Sequence, residues 1–250
     1  MISVGMDIGS RTVKLAVVCD GQLTLVRKRE NGFDVLSVCR ELLGELNYDV
    51  ITVTGYGRHL LAGQLNCGVI SEIKAFALGA GEVFPSCRTI LDIGGQDIKA
   101  IALDDSGLVC KFEMNDKCSA GTGRFLEIMA MALGCDLAGF SAVALKSTTS
   151  EKINSTCTVF AESEVVSMLA RGASREGVAL GIHQSVISRA MSMLSRVEVT
   201  DDLVFLGGVA LNPCALRLLT EAVRLPVKVP DDPQSIGALG CALHGLQSLA

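Results

Sequence analysis

Tryptophan is absent from the 250 residues, while 49% are apolar, so any core must be built from aliphatic side chains. Positive charge is in the minority: 22 Lys and Arg face 27 Asp and Glu, giving a net charge of −5. With no basic cluster to offset that balance, a nucleic-acid surface is excluded. No uninterrupted apolar segment approaches the ~20 residues that a membrane span needs. The opening MISVGMDIGS has neither a basic n-region nor a continuous apolar stretch, so no signal peptide is expected and the predicted location is the cytoplasm. The chain contains no GxxxxGK[ST] motif. His59, His183 and His244 are scattered and form no ligand or triad pattern.

Cysteine is plentiful, with ten in the chain. In a cytoplasmic protein these do not read as a disulfide framework. Cys19, Cys39, Cys67, Cys87, Cys110, Cys135, Cys214 and Cys241 stand singly among apolar or small neighbours and read as small buried hydrophobes. Cys118 in NDKCSAGTGRF and Cys157 in STCTVFAESEV differ, because each lies among small polar residues where a helix is expected to begin. Spacing alone leaves two readings open: a cysteine standing in for serine as a weak cap, or half of a metal site that lacks the usual close ligand pairs.

The chain repeats itself. DIGSRTVKLAVV (7–18) and DIGGQDIKAIAL (92–103) share Asp, Ile, Gly and Lys in one register, 85 residues apart. Each follows a short apolar strand and leads through a further strand to a hairpin turn, Asp20-Gly21 in one copy and DDSG in the other. Two copies predict two related lobes rather than a solenoid. Elsewhere the spacing predicts strands at 49–55, 203–208 and 227–230. Helices are predicted at 73–83, 124–133, 159–169, from 213, and at 235–249. A longer helical stripe runs through Val178, Ile182, Val186, Ala190 and Leu194. Mixed order of this kind means α/β layers. The expected lobes are 1–86 and 87–234, with a last helix at about 235–250 packing back on the first.

A strand that runs into Asp-Ile-Gly and a tight turn has a physical use, since glycine lets backbone amides approach a phosphate. The candidates are Gly9, Ser10, Arg11 and Thr12 in one turn, and Gly94, Gly95 and Gln96 in the other. Asp7, Asp92 and Asp97 are candidates to hold Mg²⁺ through its waters. Gly207, Gly208 and Asn212 of GGVALNP form a third motif, and Gly121, Thr122 and Gly123 could also contact a nucleotide. Gln96 and Asp97 are the candidates to orient an attacking water.

The two DIG turns and the later GG turn resemble the phosphate and adenosine motifs of the sugar kinase, actin and heat-shock chaperone superfamily. DIGGQDIKAI, NDKCSAGTGRF, CTVFAESEV and GGVALNP further resemble the ATP-dependent activators of 2-hydroxyacyl-CoA dehydratases and the related ATPase subunits of benzoyl-CoA reductases. The resemblance implies two related lobes of the ribonuclease H-like, actin-like type with a nucleotide cleft between them. It also implies ATP hydrolysis to ADP with Mg²⁺, and a homodimer holding one [4Fe–4S] cluster, to which Cys118 and Cys157 of each copy contribute. Electron transfer from ferredoxin or flavodoxin to a dehydratase or reductase partner follows from the same resemblance. Arg58 and Glu72 resemble residues near the cleft. Glu162 and Glu164 are expected in the first turn of the second cysteine's helix, where they would contact Mg²⁺ or a partner, or simply favour the helix dipole. The rival is a small-molecule kinase of the same superfamily, which gives no reason for the two cysteines.

Overall fold

The computed structural model describes residues 1–155, 157–200 and 202–249. The chain divides into two compact units. The first holds Met1–Ile90, Ile101–Phe112 and the chain from Pro230 onward; the second holds Leu91–Ala100 and Glu113–Val229.

The chain opens with a meander of β1 (Ile2–Ile8), β2 (Thr12–Cys19) and β3 (Gln22–Glu30). Asp20 and Gly21 both take positive φ (48° and 85°), the conformation that a two-residue hairpin matched to strand twist requires. Next come α1 (Val35–Leu43), β4 (Val50–Thr54), α2 (Arg58–Ala62), β5 (Gly68–Val69) and α3 (Glu72–Val83). A second meander follows: β6 (Thr89–Ile93), β7 (Ile98–Leu103) and β8 (Val109–Asn115). Four helices come next, α4 (Gly123–Ala132), α5 (Leu137–Ala144), α6 (Thr158–Ala170) and α7 (Arg175–Val197). Strand β9 (Leu203–Leu206), a 3₁₀ turn (Gly208–Leu211), α8 (Pro213–Val223), β10 (Val227–Lys228) and α9 (Ile236–Gln247) complete the chain.

The repeat in sequence is a repeat in topology. One sheet runs β3-β2-β1-β4-β5 and the other β8-β7-β6-β9-β10. In each, a hairpin meander supplies one side and two strands reached through helices supply the other. β1 pairs antiparallel with β2 and parallel with β4, and β9 pairs parallel with β10. Two equal sheets of mixed strands with helices make this the α/β fold that the motifs predicted. The first sheet buries Val4, Met6, Ile8, Leu15, Ile51 and Val53 against Cys39, Leu42 and Leu43 of α1. Its strand β2 sends Ala16 and Val18 to Ala238, Leu239 and Ala242 of α9. The predicted stripe of α7 is wholly buried from Val178 to Leu194. Among the described residues no single helix is long and apolar enough to cross a membrane.

Several expectations are corrected. Helices α1, α2 and α5 were not anticipated. α2 has only five residues, and α5 (LAGFSAVA) is apolar along nearly its whole length, so neither shows a 3.6-residue period; α5 is started instead by its Asp136 cap. Of the eight cysteines read as buried, Cys39, Cys87, Cys214 and Cys241 are buried. Cys19, Cys67 and Cys135 are half-buried, and Cys110 is exposed on β8, an edge strand with no fully buried residue. Glu162 and Glu164 lie in the second turn of α6, whose first turn holds no acidic residue.

Candidate functional site

The two Asp-Ile-Gly turns are closed by the same bonds. In the first unit the Gly9 amide donates to the Thr12 carbonyl (3.1 Å), and Lys14 Nζ donates to Asp7 Oδ2 across the β1–β2 pair (3.0 Å). In the second the Gly94 amide donates to the Asp97 carbonyl (3.0 Å), and Lys99 Nζ donates to Asp92 Oδ2 (3.2 Å). Lys99 has a second carboxylate, Asp97 Oδ2 at 2.8 Å, and all three groups are buried. Each aspartate is also walled by a glycine at the end of the neighbouring strand. Gly55 (φ 89°) and Gly207 (φ 83°) stand where a Cβ would collide with the carbonyls of Ile8 and Ile93, and would come 2.8 Å from Asp7 Oδ1 and 2.6 Å from Asp92 Oδ1. Only glycine satisfies both the left-handed φ and the close approach. Gly55, Lys14 and Lys99 were missed as site residues, although the shared lysine of the repeat was the signal for two of them.

Of the remaining first-turn candidates, Ser10 and Thr12 are half-buried and Arg11 is exposed. Asn31, from the end of β3, straps this turn: its Nδ2 donates to the Gly9 carbonyl (2.7 Å) and its amide to the Arg11 carbonyl (2.8 Å). Arg58 Nη1 donates to the Gly55 carbonyl (2.9 Å), while Glu72 is half-buried in the first turn of α3. In the second turn Gln96 is exposed, whereas the Asp97 carboxylate is turned inward to Lys99.

Within the second unit three motifs converge on the Gly94–Gly95 turn. The first amides of a helix have no partner inside it. In α4 they are taken by that turn, Gly123 N donating to Gly94 O and Arg124 N to Gly95 O (both 2.9 Å). Gly121 takes φ 89°, and the buried Thr122 donates to the Ser119 carbonyl through its amide (3.0 Å) and its hydroxyl (2.6 Å). Gly207 meets the same turn from β9, with Gly208 exposed behind it.

The Asn212 side chain is committed to the protein. Its Oδ1 caps α8 by accepting from Ala215 N (3.0 Å), and it also accepts from Ser141 Oγ (3.0 Å). His183 Nδ1 lies 2.8 Å from the Ala179 carbonyl, which can only accept, so Nδ1 carries the proton and Nε2 accepts from Asn212 Nδ2 at 3.1 Å. Burial pushes the His183 pKa down, which suits this neutral form, and the Phe140 ring packs 4.5 Å from the imidazole. Asn212, a nucleotide candidate in the sequence, therefore has its side-chain amide engaged within the protein.

The two singled-out cysteines are both exposed. Cys157 is the N-cap of α6, as the sequence suggested. Cys118 is not in the first turn of α4; it precedes the N-cap Thr122 by four residues, because Ser119–Gly121 form a separate turn. The residues that follow each cysteine meet: Ser119 Oγ and Thr158 Oγ1 are 3.2 Å apart and hydrogen-bonded. Cys118 and Cys157 are thus each one residue away from a single hydrogen bond. A continuous run of bonds leads to it from the Gly94–Gly95 turn, through α4, Thr122 and Ser119 to Thr158. Beside it α6 exposes Val159, Phe160 and Val166, each more than half accessible, while Thr158, Ala161 and Val165 face inward. Glu164 accepts three hydrogen bonds from Asn154 and Ser155. Burial pushes its carboxyl up, but the Ser155 side chain together with these bonds outweighs it and brings the pKa down to about 2. Glu162 is exposed. No group of three or more His, Cys, Asp or Glu side chains placed to hold a metal ion occurs among the described residues.

The geometry has clear counterparts. The activator of lactoyl-CoA dehydratase from Anaerotignum propionicum is 40% identical over 99% of this chain and 98% of that protein. The structure of Acidaminococcus fermentans (R)-2-hydroxyglutaryl-CoA dehydratase component A superposes with a TM-score of 0.92 at 36% identity, covering 99% of this chain and 98% of that one. The activator of the 2-hydroxyisocaproyl-CoA dehydratase from Clostridium difficile with bound ADPNP gives a TM-score of 0.89 at 38% identity, covering 99% and 95%. A profile of the BadF/BadG/BcrA/BcrD ATPase family matches residues 4–245. Two matched Asp-Ile-Gly turns, a glycine-walled aspartate in each and near-complete alignment agree: the chain belongs to the BadF/BadG/BcrA/BcrD ATPase family.

Proposed function

We propose that this ATPase couples hydrolysis of ATP to delivery of a low-potential electron to a 2-hydroxyacyl-CoA dehydratase or a related reductase. The observation that carries the reading is the Ser119–Thr158 bond, which joins the residues that follow the exposed Cys118 and Cys157; the reading takes the two thiols as one patch, linked by hydrogen bonds to the Gly94–Gly95 turn. Similarity to three dehydratase activators supplies the partner class. A kinase acting on a small acceptor leaves that patch without a purpose.

In this reading Cys118 and Cys157 of two copies hold one [4Fe–4S] cluster, which needs four thiolates. The exposed Val159, Phe160 and Val166 suit burial against a second copy. When bound, the cluster supplies one-electron storage, with ferredoxin or flavodoxin as donor. The residues of this chain do the rest. Each glycine turn, at 9–12 in the first unit and at 94–96 in the second, has the form of a phosphate-binding turn, and within the second unit the 207–212 turn is the adenosine candidate. Lys14 and Lys99 keep Asp7, Asp92 and Asp97 oriented. Carboxylates already shared with lysine suit Mg²⁺ contact through water rather than direct ligation, in keeping with the waters that the ion retains. Gln96, exposed beside this turn, orients the attacking water, and catalysis rests on positioning and charge.

The test is purification without oxygen, followed by iron and acid-labile sulfide assay of wild type, Cys118→Ser and Cys157→Ser. About four irons and four sulfides per dimer are expected in wild type, lost in both variants. A wild type that takes up no iron on reconstitution refutes the electron-transfer reading and leaves the ATPase.

A further inference from the structure

Cys157 caps α6 without any side-chain capping bond, so the direction of its thiol is set by the backbone that delivers it. That backbone is held at two points. Upstream, the Glu151 amide donates to the Gly177 carbonyl of α7 (3.0 Å). Downstream, Glu164 reaches back from α6. Its Oε1 accepts from the Asn154 amide (3.1 Å) and from Asn154 Nδ2 (3.0 Å), and its Oε2 accepts from the Ser155 amide (2.8 Å). Three donors on one carboxylate make a strong, charge-assisted clasp. The clasp ties residues 154 and 155 to the helix that Cys157 begins.

A general dipole role does not account for this. Glu164 sits in the second turn of α6, while the favourable field of a helix N-terminus falls off within the first. The exposed Glu162, two residues earlier on the same helix, makes no comparable clasp. We infer that Glu164 is a positioning residue for Cys157: its carboxylate fixes residues 154 and 155 and thereby the direction of the Cys157 thiol in the patch shared with Cys118. The inference deepens the cluster reading above and rests on it. Glu164 acts through the segment and needs no contact with the cluster itself.

The experiment uses the full-length protein, reconstituted with iron and sulfide without oxygen, as wild type, Glu164→Ala and Glu164→Gln. Iron release to a chelator is followed by absorbance, and amide exchange is measured on the iron-free protein. Glu164→Ala is expected to release iron about tenfold faster, the scale set by losing hydrogen bonds to a charged group. Its amides at 154 and 155 should exchange faster with the thermal midpoint little changed. Glu164→Gln keeps one acceptor and should fall between; it also carries the test if the alanine variant does not fold. Release at the wild-type rate from both variants overturns the inference, even if exchange at 154 and 155 has quickened. A wild type that takes up no iron overturns the cluster reading and this inference together, whereas normal uptake with unchanged release overturns this inference alone.

Discussion

Replacing Lys99 by methionine keeps most of the side-chain volume and removes a buried cation that lies 2.8 Å from Asp97 and 3.2 Å from Asp92. At an effective dielectric near 20, each contact is attractive by about 5–6 kcal/mol. Desolvating the three groups takes back most of this, so the intact cluster adds little net stability. The variant is a different case, because it leaves two carboxylates, each under 10% exposed, side by side with their cation gone. Breaking a buried pair in this way costs about 3–5 kcal/mol, a large part of the ~5–15 kcal/mol that holds a domain together. Lys14→Met in the first repeat removes a cation that is 13% exposed and faces one carboxylate, so its cost should be smaller, about 1–3 kcal/mol. Urea unfolding followed by circular dichroism measures both. Titration with MgADP should show affinity falling about tenfold or more in Lys99→Met, because the negative charge beside the phosphate turn is no longer balanced. A loss below about 1 kcal/mol in Lys99→Met, or a larger loss in Lys14→Met, would refute the view that burial and the second carboxylate set the strength of the cluster.

Two further outcomes follow from the same geometry. Gly207→Ala forces an L-residue to φ 83° and drives a Cβ into the Ile93 carbonyl, so it should cost about 2–4 kcal/mol and raise the KM for ATP; a thermal midpoint and KM equal to wild type would show that the turn has room. His183 is held neutral with its pKa below the ordinary value, so below about pH 6.5 the unfolded chain binds the extra proton. Its contribution is then complete above that pH and lost as pH falls, by at most ~1.4 kcal/mol per unit. His183→Gln should lack this component between pH 7.5 and 5.5 in urea unfolding, and an unchanged pH slope counts against the assigned tautomer.

The sequence by itself determined what depends on local backbone demands. The repeat was visible because both copies need the same strand, the same turn and the same glycine, and these requirements act within a dozen residues. The buried stripe of α7, the strand at 203–206 and the hairpin at Asp20-Gly21 were legible for the same reason: period and φ are local properties. Cys118 and Cys157 stood out through their polar neighbours, but the sequence could not say that the residues following them meet. That was decided by a hydroxyl contact between Ser119, on the approach to α4, and Thr158, the first residue of α6. Tertiary structure likewise decided that Asn212 spends its amide on His183 and Ser141, that Gly55 repeats the role of Gly207, and that Glu164 grips the segment before Cys157. Each of these is a pairing across elements. Such pairings depend on which strands and helices become neighbours after the core closes, and a residue type at one position carries no record of the partner it will meet there.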